Sequence, residues 1–160
     1  MLALKRPPWV EVAGDRWIEA LDMHAAVAAL GTAPRRVLLA LGRKELAPFV
    51  DAPQHHYLVR SVDPVEPPLR VPHARYVIGR GPFRQADDHA LLVAHGIEIV
   101  VAKNSGGEAT YGKIAAARML GLAVVMLRRP ALPAVPAVET IEDAVAWIDH
   151  ALVPCADRQV

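Results

Sequence analysis

The chain has 160 residues, 53% of them hydrophobic and 22% charged, with a formal net charge of +1. That length and apolar content suit an ordinary globular domain with a real core and exclude a disordered chain. Near-neutral charge gives no bulk argument for nucleic acid or a membrane surface, no apolar run is long enough to span a bilayer, and the lone Cys155 excludes a disulfide framework. A cytoplasmic protein is expected.

Pro7-Pro8-Trp9 starts the chain in an extended conformation. Asp15 then stands where it can cap a helix running to about Leu30, with Trp17, Leu21 and Ala25 or Ala28 on one face and Gly31 just beyond the end. Arg36 to Leu41 is a buried-strand run stopped by Gly42, and a short helix is expected from Lys44 to Val50, limited by Pro48. Tyr57 to Val62 is another strand. The stretch from Asp63 to Pro72 contains Pro64, Pro67, Pro68 and Pro72, so it is an extended connection.

Three strand–loop–helix units come next. Arg75 to Ile78 leads through Gly79-Arg80-Gly81-Pro82-Phe83-Arg84 into a helix over Gln85 to His95, closed by Gly96. Ile97 to Ala102 leads through Lys103-Asn104-Ser105-Gly106-Gly107 into a helix that includes Lys113 to Leu120 and ends at Gly121. Ala123 to Leu127 is a further strand, followed by Arg128-Arg129-Pro130 and a Pro/Ala loop. Thr140 with Asp143 has the spacing of a capping box for a last helix to about Leu152, and a frayed tail is expected from 154 to 160.

Apolar strands alternating with helices predict one doubly wound α/β domain, Rossmann-like, with a mostly parallel sheet covered by helices on both faces. In such a sheet ligands bind at the carboxyl ends of the strands. Lys-Asn-Ser-Gly-Gly at one of those ends offers a cation, an amide, a hydroxyl and two glycines that admit close backbone approach, which suits an anion. Half of the 18 Lys and Arg residues fall at these ends: Arg43, Lys44, Arg60, Arg80, Arg84, Lys103, Lys113, Arg128 and Arg129. Guanidinium forks and ammonium groups converging on one edge favour a carboxylate- or phosphate-bearing ligand.

Two near-motifs fail. Gly107 to Lys113 fits the first seven positions of a P-loop, but Ile114 stands where Ser or Thr is needed for magnesium. Gly79-Arg80-Gly81-Pro82-Phe83-Arg84 begins like a dinucleotide fingerprint and ends in Arg84 instead of glycine. Ser105 lacks a Gly-x-Ser-x-Gly elbow, and the seven histidines have no ligand spacing, so no metal is expected.

Taken in order, the motifs Arg6-Pro7-Pro8-Trp9, Gly14-Asp15-Arg16-Trp17, Gly42-Arg43 and Tyr57-Leu58-Val59-Arg60-Ser61-Val62-Asp63-Pro64 resemble signatures of the precorrin-6A reductases. Gly79-Arg80-Gly81-Pro82-Phe83, Lys103-Asn104-Ser105-Gly106-Gly107 with Ala109-Thr110, Ala115-Ala116-Ala117-Arg118 and Arg129-Pro130 continue the series to about Leu152. The resemblance implies an enzyme of cobalamin (vitamin B12) biosynthesis that uses NADPH to reduce one double bond of precorrin-6A, giving precorrin-6B. It implies Lys103 as the catalytic residue and Arg43, Arg60, Arg80, Phe83, Asn104, Ser105 and Arg129 as substrate-binding. Gly79, Gly81, Gly106, Gly107, Thr110 and Lys113 are implied for the cofactor.

Members of that family also carry an N-terminal half opened by a Gly-Gly-Thr loop, which holds much of the NADPH. The chain resembles the other half, so residues 1–153 are expected to be the C-terminal domain, its partner the missing N-terminal NADPH-binding domain. Alone it is expected to bind NADPH weakly and reduce nothing. The competing reading is a non-catalytic anion-binding or regulatory module using the same basic edge.

Overall fold

The computed structural model of the protein describes residues 2–129 and 136–152. Along the chain the elements are β1 (Ala3–Leu4), β2 (Trp17–Ala20), α1 (Met23–Ala29), β3 (Arg36–Ala40), β4 (His56–Ser61), β5 (Ala74–Ile78), α2 (Gln85–Ala94), β6 (Ile99–Lys103), α3 (Gly112–Met119), β7 (Ala123–Leu127), β8 (Ala137–Val138) and α4 (Ile141–Leu152). The Pro/Ala loop from 130 to 135 and the expected tail lie outside the described residues.

Six strands form one sheet in the order β2-β7-β6-β3-β4-β5, and every neighbouring pair is parallel. The central strands are apolar on both faces because both faces are covered. Val37 and Leu39 of β3, Val59 of β4, Ile99 and Val101 of β6 and Val125 of β7 pack with Ala26 and Leu30 of the α1 region and with Phe49. Their alternates, Leu38, Leu58, Val100, Ala102, Val124 and Met126, pack with Leu92 of α2 and with Ile114, Ala116 and Ala117 of α3. The period of two along each strand therefore divides the core into two layers. This is the doubly wound α/β fold that the alternation predicts, with the sheet wholly parallel.

The expected helix from Asp15 to Leu30 is wrong in its first half. Trp17–Ala20 instead pairs with β7, Trp17 opposite Val124 and Ala20 opposite Leu127. The helix starts only after Asp22, whose carboxylate accepts the Ala25 N–H at 2.8 Å. Asp15 is used elsewhere: Arg118 Nε and Nη2 donate to its two oxygens at 2.7 and 3.2 Å, tying the turn before β2 to α3. The expected Lys44–Val50 helix is two short 3-10 turns, Arg43–Glu45 and Ala47–Asp51. Pro48 in the second turn lacks the N–H that a continuous helix needs.

Helices α2 and α3 approach closely at Gly112. A Cβ there would stand 2.7 Å from Asp88 Oδ2 and 2.7 Å from the Phe83 carbonyl oxygen, so only glycine fits. That approach brings the start of α3 over the loop after β5.

The chain divides into two compact units, Trp9–Arg129 and a smaller one formed from both ends. In the smaller unit β1 pairs in parallel with β8, Ala3 opposite Ala137. Thr140 Oγ1 accepts the Asp143 N–H at 3.1 Å and caps α4, as the spacing predicts. Ile141, Val145 and Ile148 of α4 are exposed, at the i, i+4, i+7 spacing of one helix face.

Candidate functional site

The chain passes from β3 outward to β4 and β5, then returns to lay β6 on the other side of β3 before going on to β7. Connections therefore leave β3 and β6 in opposite directions, which opens a crevice at the carboxyl edge of the sheet. A cleft of about 350 Å³ lies at that edge, walled by Ala40 to Arg43 after β3, Arg60 to Asp63 at the end of β4, Gly79 after β5, Phe83, and Thr110 and Lys113 at the start of α3.

Two charged groups form the buried wall of the cleft. Arg60, 8% exposed, pairs through Nη1 with Asp88 Oδ1 of α2, and its guanidinium lies 4.2 Å from the centre of the Phe83 ring. The charge of Arg60 is thus met by Asp88 in this structure, and the guanidinium links Phe83 to Asp88. Lys113, 5% exposed, donates from Nζ to the Thr110 carbonyl at 2.6 Å and sits 5.0 Å from the Trp9 ring centre. Burial first, and then the like charge of Arg60, pulls the Lys113 ammonium down to about 8, with Asp88 acting in the opposite direction. The amine is folded against its own helix turn, which is not how the lysine of a phosphate loop is held.

The cleft also contains a buried polar atom without a partner. Ser61, 8% exposed, ends β4 with its hydroxyl in no hydrogen bond among the described residues. A buried hydroxyl left open at a cleft wall invites a ligand donor or acceptor. Arg43 lines the same cleft and makes no ion pair among the described residues. Of the residues that the sequence points to, Arg43, Arg60, Gly79, Phe83, Thr110 and Lys113 are therefore brought together.

The Lys103 loop does not line this cleft. Lys103 Nζ donates to Glu45 Oε1 at 2.5 Å, while Glu45 Oε2 accepts the Gly42 N–H at 2.8 Å, so this carboxylate ties the end of β6 to the turn after β3. Asn104 is occupied by Trp9: its Oδ1 accepts the Trp9 N–H at 2.7 Å and its Nδ2 donates to the Trp9 carbonyl at 2.8 Å. Trp9 Nε1 donates to the Gly107 carbonyl at 3.1 Å, and its ring meets Tyr111 edge-on. Both ends of the Asn104 amide are thus engaged by the Trp9 backbone, which sets the Trp9 ring beside Lys113. Ser105 and Thr110 share a hydroxyl contact at 3.2 Å, and Arg129 Nε donates to the Asn104 carbonyl at 2.7 Å.

Gly106 and Gly107 take positive φ, 63° and 83°, which explains glycine at both places without a ligand. Gly79 and Gly81 face the Phe83 ring, and a Cβ on Gly79 would stand 3.2 Å from it. Arg80 is largely exposed and 3.6 Å from Asp63. Sequence reasoning misses Trp9, Ser61, Asp88 and Glu45 as site residues. The Arg-Pro-Pro-Trp motif and the Arg-Ser ending of β4 are the signals that could have found two of them.

A second cleft, about 520 Å³, lies at the opposite, amino edge of the sheet, where Arg36, His56, His73, Arg75 and His95 line it. It is larger, but it is at the edge away from the switch point. No group of three His, Cys, Asp or Glu among the described residues is placed to hold a metal. Nor is any described helix long and apolar enough to cross a membrane.

A family model described as precorrin-6x reductase CbiJ/CobK matches residues 1–149. The chain belongs to this family. It is 51% identical over 154 residues to a precorrin-6A reductase of Sinorhizobium sp., covering 96% of this chain and 59% of that protein. It is 50% identical over 155 residues to the precorrin-6A reductase of Rhodobacter capsulatus, covering 96% and 62%. A solved structure of CobK precorrin-6A reductase superposes with a TM-score of 0.88 at 50% identity, covering 93% of this chain and 59% of that one. The chain thus spans about three-fifths of the length of these family members.

Proposed function

We propose that this chain forms the macrocycle-facing part of a precorrin-6A reductase of cobalamin biosynthesis, acting in the cytoplasm with NADPH to convert precorrin-6A to precorrin-6B. Family membership supports the reaction class. The observation that carries the reading within the molecule is the carboxyl-edge cleft, where, among the described residues, Arg43 has no ion-pair partner and the Ser61 hydroxyl no hydrogen bond, and where Lys113 is buried. A polycarboxylate substrate supplies anions for that wall, and Phe83 offers an aromatic face to a conjugated ring.

NADPH supplies the hydride when bound. The donor set fits an anionic or hydroxylated group, because an unpartnered buried hydroxyl and basic side chains stand at the same wall. In this chain Gly79, Thr110 and Lys113 would border the cofactor, while Arg43 and Ser61 would meet substrate carboxylates. The protein's contribution is to fix both reactants in register and exclude water from the reacting carbons.

We assign most of the nucleotide-phosphate site to a further, N-terminal NADPH-binding half. The share of the relatives that the chain covers, and the exposed apolar face of α4, support that division. The test is NADPH absorbance with precorrin-6A present. The chain combined with its nucleotide-binding half is expected to oxidise one NADPH per precorrin-6A, and the chain alone none. Turnover by the chain alone would overturn the division; none by the combination would overturn the reductase reading.

A further inference from the structure

Adding hydride to one carbon of a double bond requires a proton at its neighbour, and the cleft must present a group able to give it. Among the groups of the cleft wall, Arg43 and Arg60 hold guanidiniums that do not release protons in proteins. Ser61 and Thr110 carry hydroxyls, which are weak acids. Asp63 is exposed, facing Arg80. Asp88 lies buried behind Arg60 and is engaged with it. Lys103, expected from the sequence to be catalytic, is clasped by Glu45 outside the cleft wall.

Resting on the reductase reading, we propose that the Lys113 ammonium is the acid that delivers this proton. An ammonium has three N–H donors. One goes to the Thr110 carbonyl, and the Trp9 ring lies on another side, at 5.0 Å. The other charged neighbours are Arg60 of β4, whose positive charge weakens its hold on the proton, and Asp88 of α2, which partly offsets that. Burial acts in the same direction as Arg60, so the group is protonated at neutral pH yet a stronger acid than a free lysine. A buried lysine in direct contact with no carboxylate among the described residues is costly to keep, and such groups concentrate at functional sites.

Atoms and electrons balance in this step. The π pair of the double bond takes the proton from Nζ as hydride arrives at the other carbon. The N–H bond breaks, a C–H bond forms, and the neutral amine regains its proton from water. NADPH, when bound, would supply the hydride and be the species oxidised. Arg60 and Asp88 are positioning residues, and Asn104 is another, through Trp9.

The experiment uses the assembled enzyme, this chain with its nucleotide-binding half, as wild type, Lys113→Met and Lys113→Arg. Nitrogen NMR of 15Nζ-labelled lysines reads the titration independently of turnover, and steady-state kinetics read kcat and KM. A resonance with a midpoint near pH 8 is expected in wild type and lost in both variants. In both, kcat should fall by on the order of a hundredfold or more, with little change in KM. Lys113→Arg keeps the charge and cannot release the proton, so near-normal kcat in that variant would overturn the proposal. So would a Lys113 midpoint above 10. Wild type that reduces nothing would instead overturn the reductase reading, and the proton-donor role with it.

Discussion

Replacing Lys113 by Met tests the physical core of the site without needing any ligand. Burial and Arg60 bring the ammonium from its ordinary 10.5 to about 8 in the fold. At roughly 1.4 kcal/mol per unit, holding that charge inside costs the folded protein about 3 kcal/mol at pH 7. Met removes the charge and keeps the length. Relative to the neutral amine it forfeits only the hydrogen bond to Thr110, worth about 1 kcal/mol, because the attraction of the Trp9 ring belongs to the ammonium and is already counted in its proton affinity. Lys113→Met is therefore expected to be about 2 kcal/mol more stable than wild type at pH 7.

The sign then reverses with pH. Between pH 8 and 10.5 the unfolded lysine keeps a proton that the folded one has lost, so wild type gains stability as pH rises through that window. The two proteins should cross near pH 9.5, at roughly 1.4 kcal/mol per unit, with wild type about 1 kcal/mol ahead above pH 10.5. Urea unfolding of both proteins at pH 7 to 11 measures this directly. The buried Tyr57, whose phenol burial pushes upward, is common to both and cancels in the difference. A difference between the two proteins that stays flat from pH 8 to 10.5 would refute the reasoning.

The neighbouring contacts set three further outcomes. Asp88→Ala leaves the Arg60 guanidinium buried and unpaired, and should cost roughly 3 to 5 kcal/mol in urea unfolding, whereas an Arg60→Met, Asp88→Leu double variant should recover most of it. Gly112→Ala forces a methyl to within 2.7 Å of Asp88 Oδ2 and of the Phe83 carbonyl, so a loss of about 2 kcal/mol or more is expected by thermal unfolding, although alanine has the higher helix propensity. His55 is fully buried, its Nδ1 accepting the Arg35 N–H and its Nε2 donating to the Gly31 carbonyl, and burial lowers its affinity for a proton. The unfolded histidine therefore binds protons first: this stability contribution is full above 6.5 and is lost as pH falls through the depressed folded value. A His55→Ala variant should be less stable at pH 7 and show a shallower fall between pH 7 and 5.

The central strands were legible because β3, β6 and β7 are short continuous apolar runs that only a sheet covered on both faces accommodates. Edge strand β2 was not. Trp17-Ile18-Glu19-Ala20 comes just after Asp15-Arg16 and carries a helix-compatible spacing, and only its pairing with β7 makes it a strand. A cleft at the carboxyl edge followed from topology, and the cations at the strand ends did converge there in part. Which of them face the cleft depended on contacts between residues far apart in sequence. Glu45 takes Lys103, Asp88 takes Arg60, and Trp9 takes Asn104. The burial of Lys113 rests on the close approach at Gly112, and neither composition nor spacing carries that information.

Everything proposed for this protein depends on the carboxyl-edge cleft receiving a polycarboxylate macrocycle. The direct measurement is equilibrium binding of precorrin-6A, followed by tryptophan fluorescence, to wild type, an Arg43→Ala, Ser61→Val variant and an Arg36→Ala, Arg75→Ala variant of the opposite cleft. Loss of about tenfold or more in affinity is predicted for the first pair of substitutions and none for the second. Undiminished binding by the Arg43 and Ser61 variant, or weakening confined to the Arg36 and Arg75 variant, would contradict the claim.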